Sequence, residues 1–424
     1  MKGTPPLIRR QIDTCRVARI ECRYMKADRA SAGGARILTG SFVAVCAANF
    51  ACFASFYFLL ATLPIYVTRI GGNDSDVGLV IGVFAATALV VRPFVGRGSD
   101  SIGHKILMLS GAAVLAASGL LYILTRSVSG LLALRIFHGV GFAMFGTAAM
   151  AMIADISPAG RRGEAIGYYG ASTNLAMVIG PAVGVLLMQR LGFTILFAAS
   201  AGLALISFLV SLTLSGPHGP RHKHPAKVRT SLIERSALFP SMVLVLMAVT
   251  YAAILSFMPL LAEKRQIGNP GLFFTIMGVV ILATRGPLGR ISDRYGRGMT
   301  IVPGLLCMGL GLATMAYTPS LAIFLVVSFM YGLGFAAVQP GLLALSVDRA
   351  GPQARGAAMG TVGAAMDLGI GAGSFLWGFV SQAFGFTALY LAAAAAALAG
   401  VLIYAVGSRP TKAAPGVLGR WEAK

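Results

Sequence analysis

The sequence predicts an all-α membrane protein with twelve transmembrane helices, arranged as two pseudo-symmetric six-helix bundles. Two observations predict this fold class. The 424 residues are 57% hydrophobic and only 12% charged, with a mean hydropathy of +0.79, which excludes a soluble domain with an ordinary charged surface. The chain also repeats itself, because residues 92–194 align without a gap on residues 285–387 with 28 identities in 103 pairs. A repeat this long is a duplicated bundle, since solenoid repeats run about 20 to 50 residues.

Each half contains six stretches with few or no charges, close to the roughly 20 residues that cross a bilayer. In the first half they are residues 40–66, 77–95, 106–125, 129–153, 165–188 and 193–215. In the second half they are residues 239–261, 272–289, 299–318, 320–346, 356–380 and 386–407. Helices are expected because lipid offers no partner to free backbone groups, and no stretch alternates like a barrel strand.

Basic residues predict the orientation. The net charge of +21 is concentrated in an N-terminal tail (1–37), a linker (216–237), a C-terminal tail (408–424) and loops on the same side. Basic loops favour the cytoplasm, so both termini are predicted to be cytoplasmic, with the bundles at 38–215 and 238–407. Because the basic residues are scattered over short loops, nucleic acid is not an expected partner, whereas anionic lipid of the inner leaflet is.

The cysteines predict no disulfide framework and no metal site. Cys46, Cys52 and Cys307 lie in predicted spans, and the other two lie in the N-terminal tail, without metal-binding spacing. A multispanning enzyme would need a clustered nucleophile, metal ligands or a cofactor motif, and the sequence has none. A membrane enzyme with His138 and Asp367 as catalytic residues is the alternative from a different class, and the absence of these motifs disfavours it. No cofactor is predicted.

A short polar loop follows both the second and the eighth span. The set called here the first latch combines residues of this loop with two residues between the fourth and fifth spans: Gly96, Asp100, Gly103, Lys105, Asp155 and Arg162. The second latch is Gly289, Asp293, Arg294, Gly296, Arg297, Asp348 and Arg355. An aspartate at a helix end can accept from free amides of a neighbouring helix and pair with a basic residue, so each set can lock one conformation. The alternative is that the charges only set topology and the glycines only form turns.

These loops resemble the signature of the major facilitator superfamily, and the resemblance covers essentially the whole chain. It implies a twelve-helix transporter that works by alternating access. It also implies that Asp100 with the start of the eleventh span, and Asp155 with the basic residue of the loop, hold the outward-facing state. Asp293 and Asp348 would be the pseudo-symmetric set.

The first loop departs from that signature. Ser101 and His104 stand where basic residues are usual, which leaves Lys105 as the firm charge. We therefore expect the first latch to be weaker than the second, or responsive to pH.

Ionisable residues within the spans are expensive in lipid and by default functional. Arg135 and His138 lie one turn apart on the fourth span, and Asp367 is the sole carboxylate deep inside a predicted span. Arg135 and the glycines after it resemble the family's fourth-helix signature, in which an arginine is associated with proton coupling. We expect Asp367 to be the proton site, Arg135 its electrostatic regulator, and His138 a second titrating group or a substrate ligand. The alternatives are a packing role for His138 and a static interhelical bond for Asp367.

The 193-residue register separates the scaffold from the cargo site. Asp367 falls on Asn174 and His138 on Tyr331, so the halves share a backbone but differ in polar side chains. The residues expected to line the cavity are Asn49, Tyr57, Asn174, Tyr251, Tyr331 and Gln339. Each could instead bond a neighbouring helix.

The fifth span favours export. Its small residues Gly167, Gly180, Pro181 and Gly184 resemble the glycine-proline signature of drug and proton antiporters, although Ala176 and Val185 replace two usual glycines. We predict a monomeric antiporter of a bacterial inner membrane that exports a mostly apolar, amphiphilic or cationic small molecule in exchange for protons. A proton-coupled importer of a nutrient or metabolite is the alternative within the family.

Overall fold

The computed structural model describes residues 37–158, 161–214, 234–350 and 354–408, and every regular element in those ranges is helical. The helices are α1 (Gly40–Leu60), α2 (Leu63–Arg69), α3 (Asp74–Ile102), α4 (His104–Leu124), α5 (Val128–Ile156), α6 (Arg162–Leu212), α7 (Leu238–Lys264), α8 (Gly271–Tyr295), α9 (Gly298–Ala316), α10 (Leu321–Arg349) and α11 (Arg355–Gly407). A 3-10 turn, Arg235–Ala237, precedes α7. Most of the predicted tails and linker lie outside the described residues, as do the side chains of Asp100, Ser101, Arg162 and Arg355.

Local sequence sets several helix ends. Asn73 and Asp76 form a capping box at the start of α3, each side chain accepting from the other's backbone N–H. Ser127 caps α5 by accepting from an amide of its first turn. Gly103 and Gly296, at φ values of 99° and 95°, end α3 and α8 at equivalent positions of the repeat. Glycine adopts this left-handed region without strain, so the chain turns at once into the next helix.

Two helices are too long to cross a membrane once. α6 and α11 have 51 and 53 residues, about 75 to 80 Å at 1.5 Å per residue, against a hydrocarbon core of about 30 Å. Each contains one non-helical residue, Gly192 in α6 and Gly385 in α11, at equivalent positions of the repeat. We call the segments on either side α6a (162–191) and α6b (193–212), and α11a (355–384) and α11b (386–407).

The chain reverses at both glycines. Along α1 the contacts are Asn49 with Ser172 and Tyr57 with Gly180 for α6a, and Ala48 with Ser207 and Ser55 with Ser200 for α6b. Along α7 they are Ala248 with Gly369 and Ala252 with Gly373 for α11a, and Phe239 with Gly407 and Leu246 with Gly400 for α11b. Residue numbers rise together along α1 and α6a, and along α7 and α11a, so these segments are parallel. They run in opposite directions along α1 and α6b, and along α7 and α11b, so these segments are antiparallel. With ten helical segments long and apolar enough to span, two of them reversing, the predicted twelve spans are confirmed.

The first unit (α1–α6) and the second unit (α7–α11) meet along a seam of two helix pairs, α3 with α11a and α6a with α8. Glycine allows both close approaches. A methyl group at Gly78 would overlap the Ser374 carbonyl, and one at Gly271 would overlap the Pro181 carbonyl. These two contacts are related by the same 193-residue shift, so the seam is pseudo-symmetric.

Polar contacts close the seam at one membrane face. Among the described residues they are Arg69 with Glu263, Ser75 with Gln382, Asp74 with Ser381, Asn269 with the Ala182 carbonyl, and Thr275 with the Val178 carbonyl. All lie toward the face opposite the Gly103 and Gly296 turns. We call that face the sealed face and the face with the two turns the latch face.

Apolar side chains cover much of the outer surface. Leu124, Leu402 and Phe94 are between 66% and 76% exposed. A soluble protein rarely exposes so many large apolar groups together, whereas lipid solvates them. The chain is therefore a multi-pass membrane protein.

Candidate functional site

A buried carboxylate lies at the seam near mid-membrane. Asp367 lies about 18 Å from the start of α11a at 1.5 Å per residue, and its side chain is 12% exposed. Across the seam, Arg92 Nη1 of α3 lies 3.2 Å from Asp367 Oδ2. This is ion-pair distance, but the angles do not form a hydrogen bond, and Oδ2 has no other partner among the described residues. The pair joins the two units by charge and leaves the carboxylate able to accept from a further donor.

Asp367 lines an apolar groove of about 280 Å³ between α3 and α11a. Its other lining residues are Leu79, Gly82, Val83, Ala86, Leu89, Leu368, Gly371, Ala372 and Phe375. Gly82 lets the two helices approach, because a methyl group there would lie 2.9 Å from the Gly371 carbonyl oxygen. One carboxylate in apolar surroundings suits an apolar molecule that carries a cationic or donor group.

The other half of the seam has no equivalent charge pair. Arg285 of α8 corresponds to Arg92, and Asn174 of α6a corresponds to Asp367. Asn174 is half-buried, and neither Arg285 nor Asn174 has a hydrogen bond or ion pair in the described part of the chain. Among the described residues, the charge pair at the seam is therefore confined to α3 and α11a.

Arg92 is not among the site residues that the sequence predicts. The duplication assigns it to the shared scaffold, because Arg285 repeats it. Its position inside the predicted span 77–95 was the available signal, since an arginine within a span needs an anionic partner. Asp367 is the sole carboxylate predicted deep inside a span, but the sequence does not decide whether Arg92 or Arg135 pairs with it.

Arg135 is 2% exposed and bonds within the first unit. Its Nε donates to the Val80 carbonyl of α3 at 3.1 Å, and its guanidinium lies 4.0 Å from the centre of the Phe84 ring. These contacts link α5 to α3. The ion-pair partner of Asp367 is thus Arg92, and Arg135 contacts α3, the helix that carries Arg92.

His138 is packed among aromatic rings. Its Nδ1 lies 2.9 Å from the Tyr122 hydroxyl, and the Phe84 and Phe56 rings stand edge-on at centroid distances of 5.3 and 6.5 Å. Its Nε2 is buried and has no hydrogen-bond partner among the described residues. His138 therefore has the packing role named above as its alternative. Among the described residues its Nε2 has no partner, so this nitrogen can bond a bound polar group.

Aromatic side chains extend from His138 to the seam. Four rings pack at centroid distances of 4.7 to 5.3 Å, and we call them the aromatic cluster: Phe53, Phe56, Phe84 and Phe142. Tyr57 of the first unit and Tyr251 of the second belong to one apolar core that the two units share, and Tyr251 packs on Phe335 at 5.0 Å. These two tyrosines therefore lie where the units meet.

The other residues expected in the cavity bond within their own unit or make no bond. Asn49 is fully buried, and its Nδ2 donates at 2.8 Å to two hydroxyls of α6a. Tyr331 is also fully buried, with its hydroxyl 2.9 Å from that of Thr250. Gln339 is half-buried and has no hydrogen bond to any described residue. Tyr57 and Tyr251 are thus better placed at the seam than these three.

The first latch is organised around a histidine. His104 Nε2 lies 2.9 Å from Asp155 Oδ2, and its Nδ1 bonds the Ser99 hydroxyl. Lys105, expected to carry the firm charge, donates instead to the Leu212 carbonyl at 2.8 Å. The basic partner of Asp155 is therefore His104.

The second latch has an arginine at the same point. Arg297 Nε donates to Asp348 at 3.0 Å, and its Nη1 donates to Asp293 and, at 3.3 Å, to Ser292. Arg294 takes no part in these bonds and lies 5.4 Å from the Tyr295 ring centre. The side chains of Asp100, Arg162 and Arg355 fall outside the described part of both latches, and Gly96 and Gly289 face open space.

The small residues of α6a pack helices together. A methyl group at Gly180 would lie 2.6 Å from Tyr57 Cβ, and one at Gly184 would lie 2.5 Å from the Phe58 carbonyl oxygen, both on α1. The Pro181 carbonyl meets Gly271 of α8, while Gly167 faces open space. Three of the four residues therefore set packing distances, which carries no information on direction of transport.

Known proteins resemble this chain over most of its length. The sequence pattern of the Major Facilitator Superfamily matches residues 45–284 and 269–422. An uncharacterized MFS-type transporter of Burkholderia mallei is 29% identical over 380 residues, covering 86% of this chain and 91% of the relative. Another from Salmonella typhimurium is 28% identical over 357 residues, covering 81% and 90%.

Solved structures share the fold. The nucleoside transporter NupG superposes with a TM-score of 0.70 at 14% identity, covering 88% of this chain and all of that one. A POT family transporter in complex with a thioalcohol-conjugated peptide gives 0.73 at 14% identity, covering 87% and 96%. At these identities the likeness concerns the fold alone.

Proposed function

The chain belongs to the Major Facilitator Superfamily, and we propose that it is a proton-coupled antiporter that exports a lipophilic, amphiphilic or cationic small molecule by alternating access. Membership makes the chain a membrane transporter rather than an enzyme. The observation that carries the proposal is the ion pair of Arg92 and Asp367, which joins the two units through one buried carboxylate.

The ion pair links protonation to conformation. Alternating access moves one unit against the other, and Arg92 and Asp367 belong to different units, so the distance between them changes. Close to Arg92 the carboxylate is favoured as an anion, whereas alone in apolar surroundings it is favoured in the neutral, protonated form. Proton uptake and release thereby accompany the conformational change, and the proton gradient serves as the energy source without a cofactor.

Cargo binding competes for the same carboxylate. Asp367 Oδ2 is buried and has no hydrogen-bond partner among the described residues, and in this proposal a cationic group of the cargo takes the place of a proton there when Arg92 moves away. The groove supplies apolar surface, and an aromatic face attracts a cation by about 0.5 to 2 kcal/mol. A carboxylate that holds either a proton or a cargo cation produces exchange, so we favour antiport over symport.

The basic loops assign the latch face to the cytoplasm. Both termini then lie in the cytoplasm, the membrane is the inner membrane of a bacterium, and the sealed face is external. The conformation described here is accordingly inward-facing, although it contains the His104–Asp155 bond that the family resemblance assigns to the outward-facing state. Each chain contains both units and the whole seam, which supports a monomeric transporter.

The test uses purified protein in liposomes, with ethidium as an aromatic cation and a pH-sensitive dye inside. Ethidium should move against an imposed proton gradient, and an ethidium gradient should move protons in the opposite direction. Asp367→Asn should abolish both fluxes. Glu263→Gln, which removes the carboxylate of the 3.9 Å pair at the sealed face, should leave them unchanged.

Coupled flux that survives Asp367→Asn would rule out this carboxylate as the proton site. Ethidium and protons moving in the same direction would identify a symporter and favour import. Proton movement evoked by other solutes but not by ethidium would retain the coupling and reject the cargo class.

A further inference from the structure

The two latches share a cluster of three side chains that differs by one exchange. Ser99, His104 and Asp155, the first corner, correspond in the 193-residue register to Ser292, Arg297 and Asp348, the second corner. Each corner ties the end of one helix to the starts and ends of the next two, α3 to α4 and α5, and α8 to α9 and α10. The residue at the centre is a histidine in one corner and an arginine in the other.

The two central residues place their nitrogens alike. His104 Nε2 lies 2.9 Å from Asp155 Oδ2, and Arg297 Nε lies 3.0 Å from Asp348 Oδ2. The second nitrogen of each contacts the equivalent serine hydroxyl. Arginine keeps its charge at every physiological pH, whereas histidine can gain or lose a proton in that range.

We infer that the first corner holds α3, α4 and α5 together with a strength that depends on pH. The second corner holds α8, α9 and α10 together with a strength that does not. A neutral His104 that donates to the Asp155 carboxylate through Nε2 accepts from the Ser99 hydroxyl through Nδ1. A protonated His104 donates to both, and its positive charge adds a Coulomb attraction to its bond with the carboxylate. The contact between α4 and α5 is therefore stronger when His104 is protonated than when it is neutral.

The surrounding groups leave His104 as the changing element. Asp155 faces it from α5 with a side chain 52% exposed, and Ser99 faces it from α3. On its own helix, Lys105 is turned to the Leu212 carbonyl at the end of α6b. At the start of α6a, a hydrogen bond from Arg161 lowers the pKa of the Glu164 carboxyl, so that group does not titrate near neutral pH. The side chains of Asp100 and Arg162 lie outside the described residues.

The consequence is an asymmetric response to acid on the latch side. Acidification strengthens the bonds between α3, α4 and α5, and α3 carries Arg92 and half of the seam. The geometry of the first unit seen here becomes more persistent, while the second unit does not respond. This inference needs the fold alone and does not depend on which solute is carried.

The test measures backbone hydrogen exchange of the full chain in lipid nanodiscs at pH 5.5 and pH 7.5, after correction for intrinsic exchange. Protection of residues 97–108 should be about two- to fivefold greater at pH 5.5, the range for a half-exposed ion pair. Residues 290–301, the same segment of the second unit, should not change. His104→Arg should give high protection at both pH values, and His104→Gln should give low protection at both.

The reverse substitution in the second unit keeps the test valid if substitutions at His104 cause the first unit to misfold. Arg297→His should create the same pH dependence in residues 290–301. The inference is overturned if protection of 97–108 in the wild type is independent of pH, or if His104→Arg keeps the wild-type dependence. Absence of a new response in folded Arg297→His protein would equally contradict it.

Discussion

Replacing Arg92 with alanine should destabilise the protein more at neutral than at acid pH. The variant leaves Asp367, with a side chain 12% exposed, without its cation. Two unit charges 3.2 Å apart attract by about 5 kcal/mol at an effective dielectric constant of about 20. Because the Arg92 side chain is 41% exposed, solvent screening reduces the expected loss to about 1 to 3 kcal/mol.

The pH dependence arises because Asp367 can become neutral by taking up a proton. A buried carboxylate without a cation can take up a proton, and the free-energy cost of doing so falls by about 1.4 kcal/mol for each unit of decreasing pH. The destabilisation by Arg92→Ala is therefore largest near pH 7.5 and smaller near pH 5.5. Asp367→Asn carries no charge to protonate, so the double variant should show neither the pH dependence nor the full loss.

The assay is a double-mutant cycle by thermal unfolding in detergent at the two pH values. Arg285→Ala is the matched control, because Arg285 occupies the equivalent position and its register partner, Asn174, carries no charge. That control should show no pH-dependent loss. Equal destabilisation of Arg92→Ala and of the double variant, or a loss from Arg92→Ala that is the same at both pH values, would refute the ion pair as a coupling element.

Three further substitutions test other contacts. Gly78→Leu should open the sealed face, since even a methyl group there would overlap a backbone carbonyl, and a cysteine placed at that face should react several-fold faster with a thiol reagent; an unchanged rate would contradict the close approach. Tyr122→Phe should lower stability by about 1 kcal/mol by removing the partner of His138 Nδ1, whereas an unchanged melting temperature would mean that the bond contributes nothing. Glu263→Gln should cost at most about 0.5 kcal/mol, because its pair with Arg69 is 3.9 Å long and both side chains are about half-exposed, and a larger loss would show that this contact holds the units together.

Most of the fold was predictable because its signals are local. An apolar stretch of about 20 residues predicts a span without knowledge of its neighbours. Gly192 and Gly385 lie at or next to the boundaries predicted between spans, and the structure reverses the chain at both. The precise boundaries were less predictable, as α3 continues to Ile102 beyond the predicted end at residue 95.

The candidate site was predictable in its members but not in its pairings. Asp367 was selected because a carboxylate in lipid is rare, and the structure gives it an ion pair across the seam. Its partner could not be chosen from the sequence, where Arg135 and Arg92 both lie within spans. In the same way, Lys105 and His104 are adjacent in sequence, and only the direction of each side chain decides which of them reaches Asp155.

The sequence by itself determined that the protein lies in a lipid bilayer, how many times it spans the bilayer, and that its two halves are duplicated. Composition and hydrophobic pattern are properties of single segments, and the duplication is seen by aligning one segment with another. The tertiary structure decided which charge meets which, because Arg92 and Asp367 are 275 positions apart and meet only where α3 crosses α11a. It also decided which face is sealed, since that depends on how the two units lean against each other along the seam. Pairings across packed helices depend on crossing geometry, which no single segment of the chain encodes.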